Sequence, residues 1–168
     1  MIEIQLTKGY KTIVDESDYI FVSAFKWYAQ TCPNGKVYAA RQKTISISPK
    51  KQRTQLLTRF LFGLDDSDKR MIDHINHDTL DNRRENLRVC SRSQNCMNSI
   101  KKVRNGKSTS KYKGVYFHEN RWVAYIYNNK KQVRIGIFDK EEDAALAYNK
   151  KANEIQGEFA LLNEVSCG

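Results

Sequence analysis

The chain has 168 residues, of which 29 are Lys or Arg and 19 are Asp or Glu, so its formal net charge is +10. This length suffices for one medium domain or two small ones, and a hydrophobic fraction of 40% argues against a disordered chain. No apolar run approaches the roughly 20 residues of a membrane-spanning helix, and the first residues lack the apolar segment of a secretory signal, so we expect a cytoplasmic protein without a membrane partner.

The first 70 residues predict a small antiparallel sheet with a helix. Residues 17–27 are ambiguous, and Ser17 would be the cap if they form a short helix. Residues 54–62 place Leu57, Phe60 and Leu61 on one helical face, which predicts a helix that ends at Gly63. Alternating or β-branched residues predict strands at 2–6, 11–14, 36–41 and 44–48.

The next segment, residues 71–99, is dense in His, Asn and Asp and poor in apolar side chains. Its 4 basic and 4 acidic residues cancel, whereas residues 1–70 and residues 100–168 each carry a net charge of +5. Because such a segment cannot build much core alone, we expect it to be held by its neighbours or by a metal. This distribution of charge suits a protein whose basic flanks bind a polyanion and thereby hold a neutral reaction centre against it.

A basic stretch follows, from residue 100 to residue 113. It contains six Lys or Arg side chains and no acid, together with small polar residues that are typical of a flexible linker. One interpretation is a solvated tether. The other is a tether that also lies along phosphates, where each neutralised phosphate releases counterions and adds salt-dependent affinity. The candidate phosphate contacts are Lys101, Lys102 and Arg104.

The C-terminal part predicts a three-stranded meander with one helix across one face, so the whole chain is expected to be α+β. Strand-like runs occur at 112–117, 121–127 and 132–138, and Asp139 is expected to cap a helix over 140–156. Small alanines on this helix allow a close approach to the sheet. In the third run, the apolar residues that alternate with Gln132, Arg134 and Gly136 are Val133, Ile135 and Ile137.

The chemistry of the neutral segment centres on Asp73 and His74. An imidazole suits the deprotonation of water because its pKa lies near neutrality. Oxygen ligands from Asp and Asn suit a hard cation such as Mg²⁺, which keeps several of its waters. Asn95 lies 21 residues past His74, on a helix expected from about Ser91. An intervening hairpin and loop would allow this helix to fold back against the strand.

Three pieces of this segment, IDHIN, DNRRENLRV and SQNCMN, resemble the ββα-metal motif of HNH endonucleases, in the branch common among phage homing endonucleases. The resemblance implies that His74 is the general base, that Asp73 binds the metal, and that Asn86 holds the loop and supports the imidazole. Asn95 stands where many members have a final His, and it would be the second protein ligand. The implied cofactor is one divalent ion, Mg²⁺ or alternatively Mn²⁺, rather than Zn²⁺.

The remaining polar residues of the segment receive mainly structural interpretations. Asn76, Asp81 and Asn82 fit turns in which a side chain bonds its own backbone, and His77 matches no role in the motif. Arg88 is a candidate for a phosphate contact, as is Arg92. No structural zinc is expected, because no CxxC pair occurs among the four cysteines Cys32, Cys90, Cys96 and Cys167.

The C-terminal pieces YKGV, RWVAYI, IGIFD and GEFALLN resemble the plant ethylene-response-factor type of DNA-binding domain, which is also found fused to HNH nucleases. That family lays its sheet in the major groove with the helix behind. Several contact positions are Arg or Trp in the plant proteins but differ in this chain, so the plant target sequence does not transfer. The implied DNA-contacting residues are Lys113, Tyr116, His118, Arg121, Tyr125, Tyr127, Gln132 and Arg134.

The three regions give a predicted domain organisation. An HNH nuclease domain would span residues 1–99, with a leader at 1–70 and the ββα-metal motif at 71–99, followed by a basic linker at 100–111 and an ethylene-response-factor-like domain at 112–168. The leader resembles that of many phage HNH nucleases, which implies a scaffold with added DNA contacts. A solvated loop is the alternative for the basic run at 49–53. The added contacts would be Arg41, Lys43, Lys50, Lys51 and Arg53.

Together these interpretations predict a site-specific, metal-dependent DNA endonuclease with a homing or mobile-element role. Its partner would be double-stranded DNA, and its location the host cell cytoplasm if a phage encodes it. A monomer is expected, because no heptad or large apolar stripe specifies a dimer. One centre cuts one strand at a time, so a nick and a double-strand break both stay open. The alternatives are a DNA-binding regulator with an inactive nuclease centre, and an RNA-binding or structural phage protein.

Overall fold

The computed structural model describes residues 1–100, 109–128 and 131–165. The chain forms two compact units, Met1–Arg92 and Ser93–Gly168. Small antiparallel sheets and short helices build the first unit, and a three-stranded sheet with one long helix dominates the second, which confirms the predicted α+β class. Within the described ranges, no helix has the length and apolar character needed to cross a membrane.

The first unit contains seven strands and two helices. In chain order they are β1 (Ile2–Gln5), β2 (Lys11–Val14), α1 (Glu16–Ser23), β3 (Tyr28–Thr31), β4 (Val37–Ile47), β5 (Lys50–Leu56), α2 (Leu57–Leu61), β6 (Met71–His74) and β7 (Leu87–Cys90). β1 pairs with β2, β3–β4–β5 form a three-stranded sheet, and β6 pairs with β7, all antiparallel. A short 3₁₀ turn connects β1 to β2 (Thr7–Gly9), and another lies directly before β7 (Arg84–Asn86).

The core of the first unit joins its N-terminal hairpin, α1 and the three-stranded sheet. Val14, Val22 and Leu57 belong to one apolar cluster and expose at most 1% of their surface. The indole Nε1 of Trp27 donates to the Val22 carbonyl oxygen at 2.8 Å, which satisfies the one polar atom of that buried ring. Partly buried Leu80 packs against the same cluster, so the core reaches the polar segment that follows.

Three local predictions for the first unit differ in detail from the structure. The helix predicted at 54–62 is present only as α2 (Leu57–Leu61), because β5 extends to Leu56, where it pairs with Ala40. Cross-strand pairing overrides the helical spacing at this point. The two strands predicted at 36–41 and 44–48 are one strand, β4, with a bulge after Thr44. Ser17 lies inside α1 rather than capping it.

The second unit begins within a short helix. Its elements are α3 (Arg92–Met97), β8 (Val115–His118), β9 (Arg121–Asn128), β10 (Lys131–Phe138) and α4 (Glu141–Gln156). β9 lies between β8 and β10 in an antiparallel sheet. α4 covers one face of this sheet with side chains that are 0–2% exposed, namely Ala144, Ala145, Tyr148 and Ala152. The predicted meander with a covering helix is therefore confirmed.

A bulge in β10 changes which of its side chains face α4. Because the register shifts between Arg134 and Gly136, Ile135 and Phe138 both pack against the helix-side core. Ile137 consequently joins the opposite face and is 47% exposed. The regular alternation predicted for Val133, Ile135 and Ile137 is wrong beyond the bulge.

The start of α4 also differs from the prediction. Lys140, not Asp139, is the residue that caps the helix, and it makes no side-chain capping bond. Asp139 instead pairs with Arg121, whose Nε lies 3.0 Å from Oδ1. The acidic first turn, Glu141–Asp143, gives α4 a favourable interaction with its own dipole in place of a side-chain cap.

Gly114 allows the closest approach between the sheet and α4. Its φ is +72°, and a Cβ at this position would lie 2.1 Å from Cδ2 of buried Tyr148 and 2.6 Å from the Tyr125 carbonyl oxygen. Both neighbours belong to rigid parts of the unit, so neither can move away at low cost.

We expect Gly114→Ala to destabilise the second unit by roughly 2–4 kcal/mol, since it combines backbone strain with overpacking. Urea unfolding followed by tryptophan fluorescence measures this loss. Each unit contains one tryptophan, Trp27 in the first and Trp122 in the second, so the unfolding of the second unit contributes its own signal. Gly136→Ala is the matched control: its φ is not left-handed, and the nearest atom to the new Cβ is the far end of the Phe138 ring at 2.9 Å. Equal losses for the two variants would contradict this account of Gly114.

Candidate functional site

The β6–β7 hairpin positions the two residues on which the predicted chemistry depends. Asp73 stands opposite Arg88, and His74 stands opposite Leu87. Asp73 and His74 are 7% and 6% exposed, so both polar side chains are buried within the protein. Adjacent strand residues point to opposite faces, which means that separate sets of neighbours satisfy the carboxylate and the imidazole.

Asn86 holds the two ends of the polar loop between β6 and β7 together. Its Oδ1 accepts from the backbone NH of Asn76 at 3.0 Å, and its Nδ2 donates to the Asp81 carbonyl oxygen at 2.8 Å. Its own carbonyl oxygen accepts from Ile75 NH at 2.9 Å. This is the geometry that a loop-holding role for Asn86 requires.

The carboxylate of Asp81 closes the same loop from the other side. It accepts from Asn76 Nδ2 at 3.0 Å and forms a two-pronged pair with Arg83, with Nε–Oδ1 and Nη2–Oδ2 distances of 2.8 and 2.7 Å. The Arg83 guanidinium holds the pKa of this carboxyl below its usual range. The loop therefore keeps a fixed negative charge that its own arginine compensates.

A chain of hydrogen bonds fixes the imidazole of His74. The Leu80 carbonyl can only accept, so the Thr12 hydroxyl donates to it at 2.7 Å. The Thr12 oxygen in turn accepts from Asn82 Nδ2 at 2.7 Å, which leaves Asn82 Oδ1 facing His74 Nε2 at 3.3 Å. Because Oδ1 is an acceptor, Nε2 carries the proton in the neutral ring. In this tautomer the lone pair lies on Nδ1.

The charge state of His74 agrees with this assignment. Burial lowers the pKa of the imidazole, against smaller raising effects from the Asn82 hydrogen bond and the Asp73 carboxylate. A lowered pKa keeps the ring neutral near pH 7, as a proton acceptor must be. The Tyr38 ring lies 6.3 Å from the imidazole, centroid to centroid, and forms part of the surroundings that exclude water.

The Asp73 carboxylate is paired with an arginine. Oδ2 accepts from Arg88 Nε at 3.1 Å and from Nη2 at 2.8 Å. Within the described structure Arg88 therefore binds the Asp73 carboxylate, whereas the sequence suggested that it contacts phosphate. Carboxylate oxygens are donors that suit a hard divalent cation, but a cation at Asp73 would share Oδ2 with the Arg88 guanidinium or displace it.

The loop is fastened to the N-terminal 70 residues at three places. Arg84 makes a two-pronged pair with buried Asp18 of α1, with both distances 2.8 Å, and its backbone NH donates to Asp15 Oδ2 at 2.7 Å. The Thr79 hydroxyl donates to the Val37 carbonyl oxygen, and Asn82 NH donates to Ile13 O at 2.8 Å. The leader is therefore a scaffold for the loop that surrounds His74.

Asn95, the predicted second metal ligand, lies on α3 in the part of the chain assigned to the second unit. Its role as a ligand stays a prediction. In that unit Lys113 binds the end of α3: its Nζ donates to Ser99 O at 2.9 Å and also to Met97 O. Burial lowers the pKa of Lys113 to about 8. The ammonium therefore has partners inside the protein, and a DNA contact for Lys113 stays a prediction.

The sheet face opposite α4 gathers most of the predicted DNA-contacting residues. Tyr125 lies 5.5 Å from Tyr116 and 5.9 Å from Tyr127, centroid to centroid, and Tyr116 lies 6.3 Å from His118. These four rings form a continuous aromatic row, with Tyr127 56% exposed. The row offers flat apolar surfaces and phenolic hydroxyls to a partner.

Charged and amide side chains border this aromatic row. Arg134 stands opposite Tyr125 and Gln132 opposite Tyr127, and both are exposed. Arg121 stands opposite His118 on the same face. Exposed Ile137 joins the face because of the β10 bulge and was not predicted there. The predicted contacts Lys101, Lys102 and Arg104 lie outside the described residues.

Asn82 is the main site residue that the sequence did not identify. It fits a turn by composition, yet it is 1% exposed and orients His74. Its other partner, Thr12, is 70 positions away in the sequence. A contact at that separation leaves no local pattern, so neither residue could be found from spacing.

Comparisons with known proteins match two regions of the chain. An HNH endonuclease family model matches residues 67–97, and an AP2 domain model matches residues 110–158. An uncharacterised HNH endonuclease of Acanthamoeba polyphaga mimivirus is 30% identical over 159 residues, which cover 94% of this chain and 77% of the relative.

Two plant proteins are similar to the C-terminal part alone. An AP2/ERF and B3 domain-containing transcription repressor of Arabidopsis thaliana is 41% identical over 56 residues, which are 33% of this chain and 16% of the relative. An AP2-like ethylene-responsive transcription factor of the same plant is 39% identical over 70 residues, or 39% of this chain and 14% of the relative. The resemblance to an ethylene-response-factor-like domain is therefore confirmed.

We expect Asn82→Ala to lower the population of the Nε2–H tautomer of His74, because the acceptor that favours this form is removed. Nitrogen-15 NMR of the imidazole distinguishes the two tautomers, and the chain has only 3 His residues to assign. Loss of a buried hydrogen-bonded amide should also cost about 1–3 kcal/mol of stability. Asn76→Ala is the control, since that amide bonds Asp81 rather than the imidazole. An Nδ1–H ring in the wild type would refute the assignment.

Proposed function

The chain belongs to the HNH endonuclease family and is a DNA endonuclease, and from that premise we propose that it cuts duplex DNA site-specifically with the help of a divalent metal ion. The observation that carries the proposal is the buried His74 imidazole, whose Nε2 faces Asn82 Oδ1 in the Thr12–Asn82 hydrogen-bond chain. A catalytic base must be neutral, fixed in direction and close to the water that it deprotonates. The environment of His74 supports the first two conditions.

In the proposed reaction, His74 Nδ1 takes a proton from the attacking water while Asn82 keeps the ring in place. Asn86 keeps the loop closed around it. Asp73 and Asn95 would hold the metal, whose bound charge would stabilise the phosphate and the leaving oxygen. Within the described residues no three His, Cys, Asp or Glu side chains come together as a metal site, so the proposal depends on Asp73 and an Asn amide. Mg²⁺ suits such oxygen donors, and Mn²⁺ is the alternative.

The second unit would hold the DNA through the aromatic row and its polar border. Base edges in the major groove are read best by Arg on guanine and by Gln on adenine. Arg134 and Gln132 are exposed on the same face as Tyr125 and Tyr127, whose hydroxyls would bond phosphate or sugar. This supports major-groove binding with sequence preference.

A DNA-binding regulator with an inactive centre is the second candidate, and one observation favours it. Arg88 pairs with the Asp73 carboxylate, which is the charge that a metal would need. A cation could displace this guanidinium or share the carboxylate with it. Cleavage that depends on the metal decides between the two candidates. A homing role, a location in a host cytoplasm and a monomeric state stay predictions.

We expect purified protein to cut DNA with Mg²⁺ or Mn²⁺ and to lose this activity in EDTA. His74→Ala should lower the single-turnover rate by about 10²–10⁴-fold, because the positioned base is lost. His77→Asn is the matched control: it removes a nearby imidazole at a left-handed position, φ 66°, that Asn tolerates. The control should cut at the wild-type rate. Wild-type protein that binds its site but never cuts would favour the inactive regulator.

We expect Arg134→Ala to weaken binding to the preferred site by about 1–3 kcal/mol, or roughly 5- to 150-fold in Kd, and to relax the base preference at one position. Binding selection from a random DNA library, with and without the substitution, measures both effects. Lys150→Ala removes a positive charge from the exposed side of α4 and should leave the base preference unchanged. An unchanged preference in Arg134→Ala would exclude this arginine as a base reader.

A further inference from the structure

The β4–β5 hairpin forms a two-stranded ribbon that extends past its sheet. β3 pairs only with Val37–Ala40 of β4, whereas β4 continues to Ile47. Among the described strands, this second half of β4 pairs with β5 alone, from Arg41–Gln55 to Ile47–Lys50. Near the end of the ribbon Ile47 is 89% exposed, so this part is uncovered within the first unit.

The ribbon is basic and contains no acid. From Arg41 to Leu56 the sequence holds five Lys or Arg side chains and no Asp or Glu. In the antiparallel register Lys43 stands opposite Arg53, and Ser46 stands opposite Lys51. Residues that stand opposite each other share a face, so Lys43, Lys51 and Arg53 line one side of the ribbon. The other side carries the uncharged donors and acceptors Gln42, Thr44, Gln52 and Thr54 and, at the end of the ribbon, Lys50, which stands opposite Ile47.

Two of the five cations already have partners within the first unit. The Arg41 guanidinium lies 3.7 Å from the centroid of the Phe25 ring and 4.6 Å from that of Phe60, and its Nε donates to Gln55 Oε1 at 2.9 Å. Arg53 pairs with Asp66 at 3.2 Å, although the pair is exposed. Arg41 therefore stabilises the base of the ribbon, and the cations nearer its end are Lys43, Lys50 and Lys51.

We propose that this ribbon is a separate DNA-binding arm that lies in the major groove of duplex DNA, with Lys43, Lys50 and Lys51 on the phosphates. The major groove of B-DNA admits a two-stranded ribbon, whereas the deep, narrow major groove of duplex RNA does not. The charge of the ribbon is complementary to phosphate, and the side with Gln42, Thr44, Gln52 and Thr54 offers amides and hydroxyls to base edges. The inference rests on the proposed function, in that the substrate is duplex DNA, but not on the sheet of the second unit.

The test neutralises the three lysines together, as Lys43→Gln, Lys50→Gln and Lys51→Gln. The control neutralises three exposed lysines elsewhere in the same unit, as Lys8→Gln, Lys26→Gln and Lys69→Gln, which gives the same change in net charge. A third protein keeps the charge through Lys→Arg changes at positions 43, 50 and 51. Circular dichroism melts verify folding, and duplex DNA binding is measured over a series of salt concentrations.

If the ribbon binds phosphates, its neutralisation lowers the slope of log K against log salt by about 0.9 per lost contact, or roughly 2.7 for three. The footprint on the DNA should also shorten on one side, while the control and the Lys→Arg protein match the wild type. Equal slopes for the ribbon and control variants would contradict the proposal that the ribbon binds duplex DNA. A loss of binding seen only with RNA would contradict it as well. Failure of the wild type to bind or cut any DNA would instead refute the proposed function.

Discussion

Burial of a polar loop is the constraint on which the rest of the first unit depends. Asn82 exposes 1% of its surface and Asn86 6%, in a segment with too few apolar side chains to form its own core. Each buried donor or acceptor left unpaired would cost about 1–3 kcal/mol. The pairs are supplied by Thr12, by Val37 and by two aspartates at the start of α1, so the leader and the loop form one hydrogen-bonded structure.

The same bonds decide the chemistry of the histidine. A carbonyl at Leu80 sets the direction of the Thr12 hydroxyl, which sets the orientation of the Asn82 amide, which sets the proton on His74. Burial then keeps the ring neutral. Stability and reactivity therefore share their groups, and neither can be described by the short motif alone. Asp73, on the other face of the strand, is governed by a different partner, Arg88.

Much of this was predictable from the sequence, where local pattern and structure agree. Alternation gave the strands of the second unit, the alanine spacing gave α4, and the sequence pieces of the central segment resembled the family that the comparisons show. Prediction was wrong where a distant partner decides the outcome. Residues 54–56 become strand because Ala40 pairs with Leu56, and Ile137 turns outward because of a bulge. The role of Asn82 depends on Thr12, whose separation in sequence conceals the contact.

The position of Thr12 has a consequence for how the protein tolerates heat. Thr12 belongs to β2, half of a two-stranded hairpin, and such hairpins are marginally stable unless packing holds them. In this protein packing does hold it, because Val14 of β2 is fully buried in the core of the first unit. The partner that orients Asn82 is therefore held in place by the same apolar contacts that hold the unit together. We expect heating that loosens this core to remove the orientation of His74 as well.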